Sequence, residues 1–229
     1  MQFFILILAL SLVLFLYKLF HLANDDYVLI KKSIPLKEIF NSALIILLIS
    51  LLFSRIFYVL FNPDPVFLSP LGFLLFPYFP GLSLTGGVAG AALVSIIYLK
   101  VKKYPISRIF DFFTMSFIFV LPIGFTGYIV LSESFTIASL IRLILYTFLF
   151  ASFNFYIYPK SLHLDIKEGT KTILFLIFFS LISLLGIAVD NPGTSSFINN
   201  KENFLLLIIL FVSVLFLLKQ EIFGRISPR

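Results

Sequence analysis

The sequence predicts an all-α integral membrane protein with seven transmembrane helices, its N-terminus outside and its C-terminus in the cytoplasm. Three observations carry that prediction: a charge-poor composition, seven long apolar blocks, and cations gathered in every second connection. Of 229 residues, 60% are hydrophobic and 12% charged, where a soluble domain carries about 25% charged residues. This argues against a soluble enzyme and against a disordered chain. The net charge of +6 does not build one basic face, so it is no footprint for nucleic acid. It reads instead as cytoplasmic anchoring of membrane helices. The absence of cysteine removes disulfides and any internal thiol nucleophile.

Crossing about 30 Å of hydrocarbon takes about 20 apolar residues in a helix. The blocks that qualify are Phe3–Phe20, Ile39–Phe61, Leu82–Leu99, Ile109–Leu131, Ile137–Tyr158, Thr172–Val189 and the shorter Phe204–Leu218. Continuous apolarity in Ala43–Phe53 and Phe204–Leu218 favours helices over a β-barrel, whose strands alternate. The first block has no Lys or Arg before it and no clear cleavage site after it, so it reads as a retained helix. From the N-terminus onward the non-membrane pieces carry 0, 4, 0, 4, 0, 3, 1 and 3 Lys plus Arg. Lys18, at the inner end of the first block, is counted with the connection that follows it, and of the other cations only Arg55 and Arg142 fall inside spans. The alternation checks the number of spans and places the N-terminus outside.

No composition shift divides the chain, which reads as one polytopic domain over residues 1–229. The longest outer connection, residues 62–83, has Pro63, Pro65, Pro70, Pro77 and Pro80 among many apolar residues. Prolines stop a long helix, and the apolar content predicts an interfacial or re-entrant segment.

The functional candidates are polar groups where a membrane disfavours them. Arg55 lies about two turns inside the outer end of the second span, and Arg142 near the outer end of the fifth. Snorkelling to the headgroups explains such cations in part; an intramembrane charge also marks function. Two guanidinium groups near one leaflet suit a phosphate, since each donates paired hydrogen bonds. Gly86 and Gly90 make a GxxxG spacing, which serves close helix packing. Gly86 and Gly87 also sit at a helix N-terminus, where free N–H groups favour an anion. Pro122, Gly124 and Gly127 near the end of the fourth span predict a kink or a close backbone approach. Glu133 is one of few outer acids, with Asp64, Asp190 and Glu202. Both histidines, His21 and His163, fall on the cytoplasmic side, so outer chemistry has no histidine base. No metal site is expected, no cofactor is implied, and no carboxylate is expected deep in a span. Tyr146, Tyr156 and Tyr158 read as helix contacts and an inner aromatic belt.

Several stretches, in order, resemble the prolipoprotein diacylglyceryl transferase family, which is a bacterial inner-membrane family of seven spans. They are Ser54-Arg55-Ile56-Phe57-Tyr58-Val59-Leu60-Phe61, Gly81-Leu82-Ser83-Leu84-Thr85-Gly86-Gly87-Val88-Ala89-Gly90, Ile106-Ser107-Arg108-Ile109-Phe110-Asp111, and Ile123-Gly124-Phe125-Thr126-Gly127-Tyr128 followed by Glu133. Thr85 stands at the family's histidine, Phe125 at its arginine and Tyr128 at its asparagine. The arginine of its sixth span has no counterpart in Thr172–Val189, and its fifth-span glutamate falls near Arg142.

The resemblance implies transfer of diacylglyceryl from phosphatidylglycerol to the lipobox cysteine of a prolipoprotein signal peptide, at the outer face of the bacterial inner membrane. It implies that Arg55 and Arg142, with Gly86 and Gly87, hold the lipid phosphate, and that Glu133 is catalytic. Tyr58, Thr85, Gly124, Gly127 and Tyr128 are then the site lining. Besides that peptide, the implied partners are membrane lipids and no nucleic acid. The substituted positions imply an alternative, an inactive descendant that binds phospholipid or a membrane partner.

Overall fold

The computed structural model describes residues 2–69, 72–73, 81–132, 135–162, 166–190 and 200–223. Seven of its helices are long and apolar enough to cross a membrane: Leu6–Ala23, Leu36–Phe61, Leu84–Val101, Ile106–Val130, Ile137–Ser161, Thr170–Asp190 and Lys201–Gln220. Among the described residues there is no strand. The protein is a multi-pass, all-helical membrane protein. By its contacts the chain forms two compact units, residues 1–6 with 23–106, and residues 7–22 with 107–229.

The first unit holds the short helix α2 (Tyr27–Lys31), then α3 (Leu36–Phe61), a 3₁₀ turn (Pro65–Leu68) and α4 (Leu84–Val101). Asp26 caps α2 by accepting from the Leu29 N–H at 3.0 Å. On α3, Leu48, Leu52, Ile56 and Leu60 form an exposed stripe at four-residue spacing. Exposed leucines at that period are what a lipid-facing helix presents. The opposite face packs on α4 through small residues. A methyl group at Gly86 or Gly90 would run into Phe57 or Phe53 of α3, and one at Gly87 would just touch Ser54. The glycines therefore let two backbones approach, and the lost apolar drive is replaced by close contact. Ser54 and Ser83 tie the same seam. The Ser83 N–H donates to the Ser54 carbonyl at 3.1 Å, and the Ser54 hydroxyl donates to the Ser83 carbonyl at 2.7 Å.

The second unit holds most of α1 (Gln2–Ala23), α5 (Ile106–Ser132), α6 (Ile137–Ser152), α7 (Tyr158–Leu162), α8 (Thr170–Asp190) and α9 (Lys201–Leu217). α6 passes through a π turn, Phe153–Ile157, straight into α7. Thr136 starts α6 with a reciprocal capping box to Ser139, which satisfies two otherwise unpaired donors. α5 runs on through Pro122, and a Cβ at Gly127 would press on Ile7 of α1. The close approach expected from these glycines is thus to α1. Aromatic rings fill the core: Phe117 against Phe175 at 5.8 Å, Phe175 against Phe179 at 5.6 Å, and Tyr146 against Phe179 at 6.2 Å.

One end of this unit is closed by a polar lock. Asp111, five residues into α5 and buried, accepts from the N–H groups of Gly169 (2.8 Å) and Thr172 (3.0 Å) and from the Thr172 hydroxyl (2.9 Å). A carboxylate from one helix thus caps the first turn of another, where the dipole favours negative charge. Asp111 stands near the start of α5, not deep in the span. Asp111 is tolerated because α8 supplies its donors. Gly169, at φ +91°, makes the turn into that cap. Arg108 pairs with Glu168 at 2.6 Å, and Gln220 after α9 donates to the Glu168 carbonyl at 2.6 Å.

Candidate functional site

In the first unit Arg55, Tyr58, Thr85, Gly86 and Gly87 all lie where α3 ends and α4 begins. Arg55 is 2% exposed. Its Nε donates to the Phe73 carbonyl at 3.0 Å, Nη1 to the Gly81 carbonyl at 2.7 Å and Nη2 to the Gly72 carbonyl at 2.8 Å. The guanidinium carbon also stands 4.7 Å over the Phe67 ring. Each of its three nitrogens thus has a protein acceptor. The guanidinium works here as a strut between α3 and the segment that leads into α4. Tyr58 backs the same segment: its ring fills the space a side chain at Gly81 would need. Gly81 has φ +148°, a backbone that glycine alone adopts without strain.

The start of α4 is also occupied. The Ser83 hydroxyl accepts from the Gly86 N–H at 3.0 Å, and the Ser83 carbonyl accepts from the Gly87 N–H at 2.9 Å. Both donors that the glycines would offer an anion have partners inside the chain. Thr85 is buried.

In the second unit the cation is Arg142 on α6. Its Nη2 donates to Asp190 at the end of α8, and the two form an ion pair. The side chain crosses α8 at Gly186, where any Cβ would sit on the Arg142 Nε and Cδ atoms. The Arg142 Nε is buried with no hydrogen-bond partner among the described residues, while the side chain keeps 21% of its surface exposed. One edge of the guanidinium is held and donor capacity remains. One turn along α6, buried Tyr146 shares a hydrogen bond with Ser183 of α8 at 3.2 Å. Tyr146 is therefore a buried helix contact beside the cation. Phe125 of α5 lies edge-on to Tyr146 at 5.4 Å and stacks toward Tyr128 at 5.8 Å. Tyr128 itself is 57% exposed. Gly124 looks toward Ser11 of α1. Glu133 lies outside the described residues.

A family model described as prolipoprotein diacylglyceryl transferase matches residues 1–186. The chain belongs to this family. No curated protein and no solved structure is significantly similar to it. The family is a transferase family of lipoprotein biosynthesis, with phosphatidylglycerol and prolipoproteins as its substrates. The match spans both glycine stretches, Arg55, Arg142 and Gly186, and stops before Asp190. Asp190 and Tyr146 stand beside Arg142 although neither was assigned a role in the site from the sequence, and Ser183 was not singled out at all. The usable signal was Asp190 as an acid closing an apolar block, facing an arginine that opens another. Among the described residues no group of three His, Asp or Glu side chains could hold a metal ion.

Proposed function

We propose that this chain transfers diacylglyceryl from phosphatidylglycerol to the lipobox cysteine of a prolipoprotein, at the outer face of the bacterial cytoplasmic membrane. The family match across residues 1–186 carries the reading. The substrate sulfur attacks a glyceryl carbon, a carbon–sulfur bond forms, the carbon–oxygen bond to the phosphate breaks, and glycerol phosphate leaves. The thiol proton goes to a general base, for which Glu133 is the proposed residue. The reaction uses a sulfur nucleophile, and the chain, having no cysteine, leaves that part to its substrate.

Negative charge on the departing phosphate calls for fixed cationic donors. Arg142 is the proposed grip, because Asp190 fixes one edge and its Nε has no partner among the described residues. Arg55, Gly86 and Gly87 are proposed to scaffold the α3–α4 junction of the first unit, since the Arg55 nitrogens and both glycine N–H groups already have acceptors. Tyr58 and Thr85 are proposed as lining positions at that junction, and Gly124, Gly127 and Tyr128 as lining and packing positions of the second unit. The N-terminus is proposed to lie outside and the C-terminus in the cytoplasm, a reading supported by the alternation of Lys and Arg between connections.

The decisive experiment gives the purified protein phosphatidylglycerol vesicles and a lipobox peptide, and reads the mass of the peptide. A diacylglyceryl adduct that disappears in Arg142→Ala, with the fold intact, supports the reading. No adduct, where an active family member makes one, rejects it. A second reading is a phospholipid-binding descendant without turnover. It is favoured by Phe125, whose ring fills a family arginine position with an apolar contact to Tyr146. Phosphatidylglycerol retention without any peptide adduct would select it. Reporter fusions that put the start of α4 on the cytoplasmic side would remove both.

A further inference from the structure

The second unit carries a groove lined by none of the residues proposed for the transfer reaction. It has a volume of about 860 Å³ and lies between α8 and the continuous rod formed by α6, the π turn and α7. Its size falls in the range of small-molecule sites. The lining is almost wholly apolar. Phe148, Ser152 and Tyr156 follow one another at four-residue spacing along the rod, and Phe178 and Leu185 face them from α8. The π turn adds one residue per turn within this wall. From Leu145 to Lys160 the groove follows the rod for about 22 Å, more than the roughly 15 Å depth of one leaflet of hydrocarbon.

The far end of the groove is marked by Lys160. Its ammonium donates to the Tyr156 hydroxyl at 2.7 Å and rests 4.0 Å from that ring's centre. Lys160 forms no ion pair with any carboxylate among the described residues. The neighbouring cations differ. Lys171 stands 4.0 Å from Asp111 and donates to Ser161 at 3.2 Å, and Lys167 donates to the Gln220 carbonyl at 2.6 Å. Lys160 also lies eighteen residues from Arg142 on one span, about 27 Å along the helix. It thus belongs to the opposite membrane surface from the proposed reaction.

We infer that this groove holds an anionic phospholipid of the Lys160-side leaflet, with acyl chains along the rod and the phosphate on Lys160 and Tyr156. An apolar slot in a membrane helix face fills with lipid chains, because no water is there to compete. An ammonium at its mouth, with no ion pair among the described residues, then selects the headgroup by charge. The inference does not depend on the chain being an active transferase.

The test photolabels the full chain in vesicles with phosphatidylglycerol or phosphatidylcholine that carries the same diazirine acyl chain, and maps the adducts. Adducts on the Phe148–Tyr156 and Phe178–Leu185 stretches should be about fivefold more abundant with phosphatidylglycerol, the effect of one lysine at a bilayer surface. Lys160→Gln should abolish that preference and Lys160→Arg should keep it, while peptide lipidation is unchanged in both. Equal labelling by the two lipids, or a preference that survives in Lys160→Gln, overturns the inference. Ser152→Cys chains that oxidise to disulfide-linked dimers would put a second copy in the groove and would also overturn it.

Discussion

Replacing Arg55 by Met separates a scaffolding arginine from a substrate-binding one. The substitution keeps a long apolar stem and deletes three charge-assisted hydrogen bonds, to the carbonyls of Gly72, Phe73 and Gly81. Such bonds are worth about 1.5–3 kcal/mol each. Three at the low end total roughly 4.5 kcal/mol, a figure already net of exchange with water. At about 1.4 kcal/mol per tenfold, the segment should open on the order of a thousand times more often. The assay is hydrogen exchange at the Gly72 and Phe73 amides, which in the folded chain donate to Ser69 at 3.0 and 2.9 Å. Arg55→Lys should behave nearly as badly, because an ammonium cannot reach three divergent carbonyls with one planar fork. Exchange that changes by less than about threefold, together with lost lipidation, would refute the strut and return Arg55 to the phosphate.

Gly186→Ala should force Arg142 off α8 and lower kcat/KM for peptide lipidation by at least about tenfold, the size of one lost charge-assisted contact; an unchanged rate would free Arg142 of its proposed role. Asp111→Ala leaves the buried Gly169 and Thr172 N–H groups without an acceptor, at about 3 kcal/mol for the pair. Its Tm in detergent should fall by roughly 6–12 °C, and Asp111→Asn should fall less. Tyr104, in the connection between α4 and α5, donates to Glu38 at 3.1 Å. Burial and then the Glu38 carboxylate push its ionisation above the ordinary tyrosine range. Because the folded chain holds this proton more tightly than the unfolded one, the stabilising effect is complete below about pH 10 and is lost as pH rises beyond it. The ultraviolet titration of wild type minus Tyr104→Phe should therefore show one tyrosine ionising later than a free phenol.

The seven spans were legible because each needs only length and apolarity. Their ends were less so. α3 starts at Leu36 and not Ile39, since Lys37 and Glu38 are poor membrane residues but ordinary helix residues. Hydropathy locates hydrocarbon, whereas helix ends follow backbone hydrogen bonding. The π turn at Phe153–Ile157 left no mark in composition. Arg55 and Arg142 were legible as unusual, but their partners lie 17 to 48 residues away, beyond any local spacing rule. Gly86 and Gly87 suited both helix packing and anion binding, and the choice turned on Ser83, whose hydroxyl and carbonyl take their N–H groups. Asp111 was read as the end of a motif. Its value depends on Thr172, which only the fold brings near.

The Ser54–Ser83 exchange fixes more than a contact. Moving α4 along α3 by a single position would break both bonds at once and push the Phe53 and Phe57 rings out of the glycine slots they fill. The pair is geared and cannot ratchet. If lipid entry needs movement here, α3 and α4 must swing together as one lever, with their far ends travelling farthest.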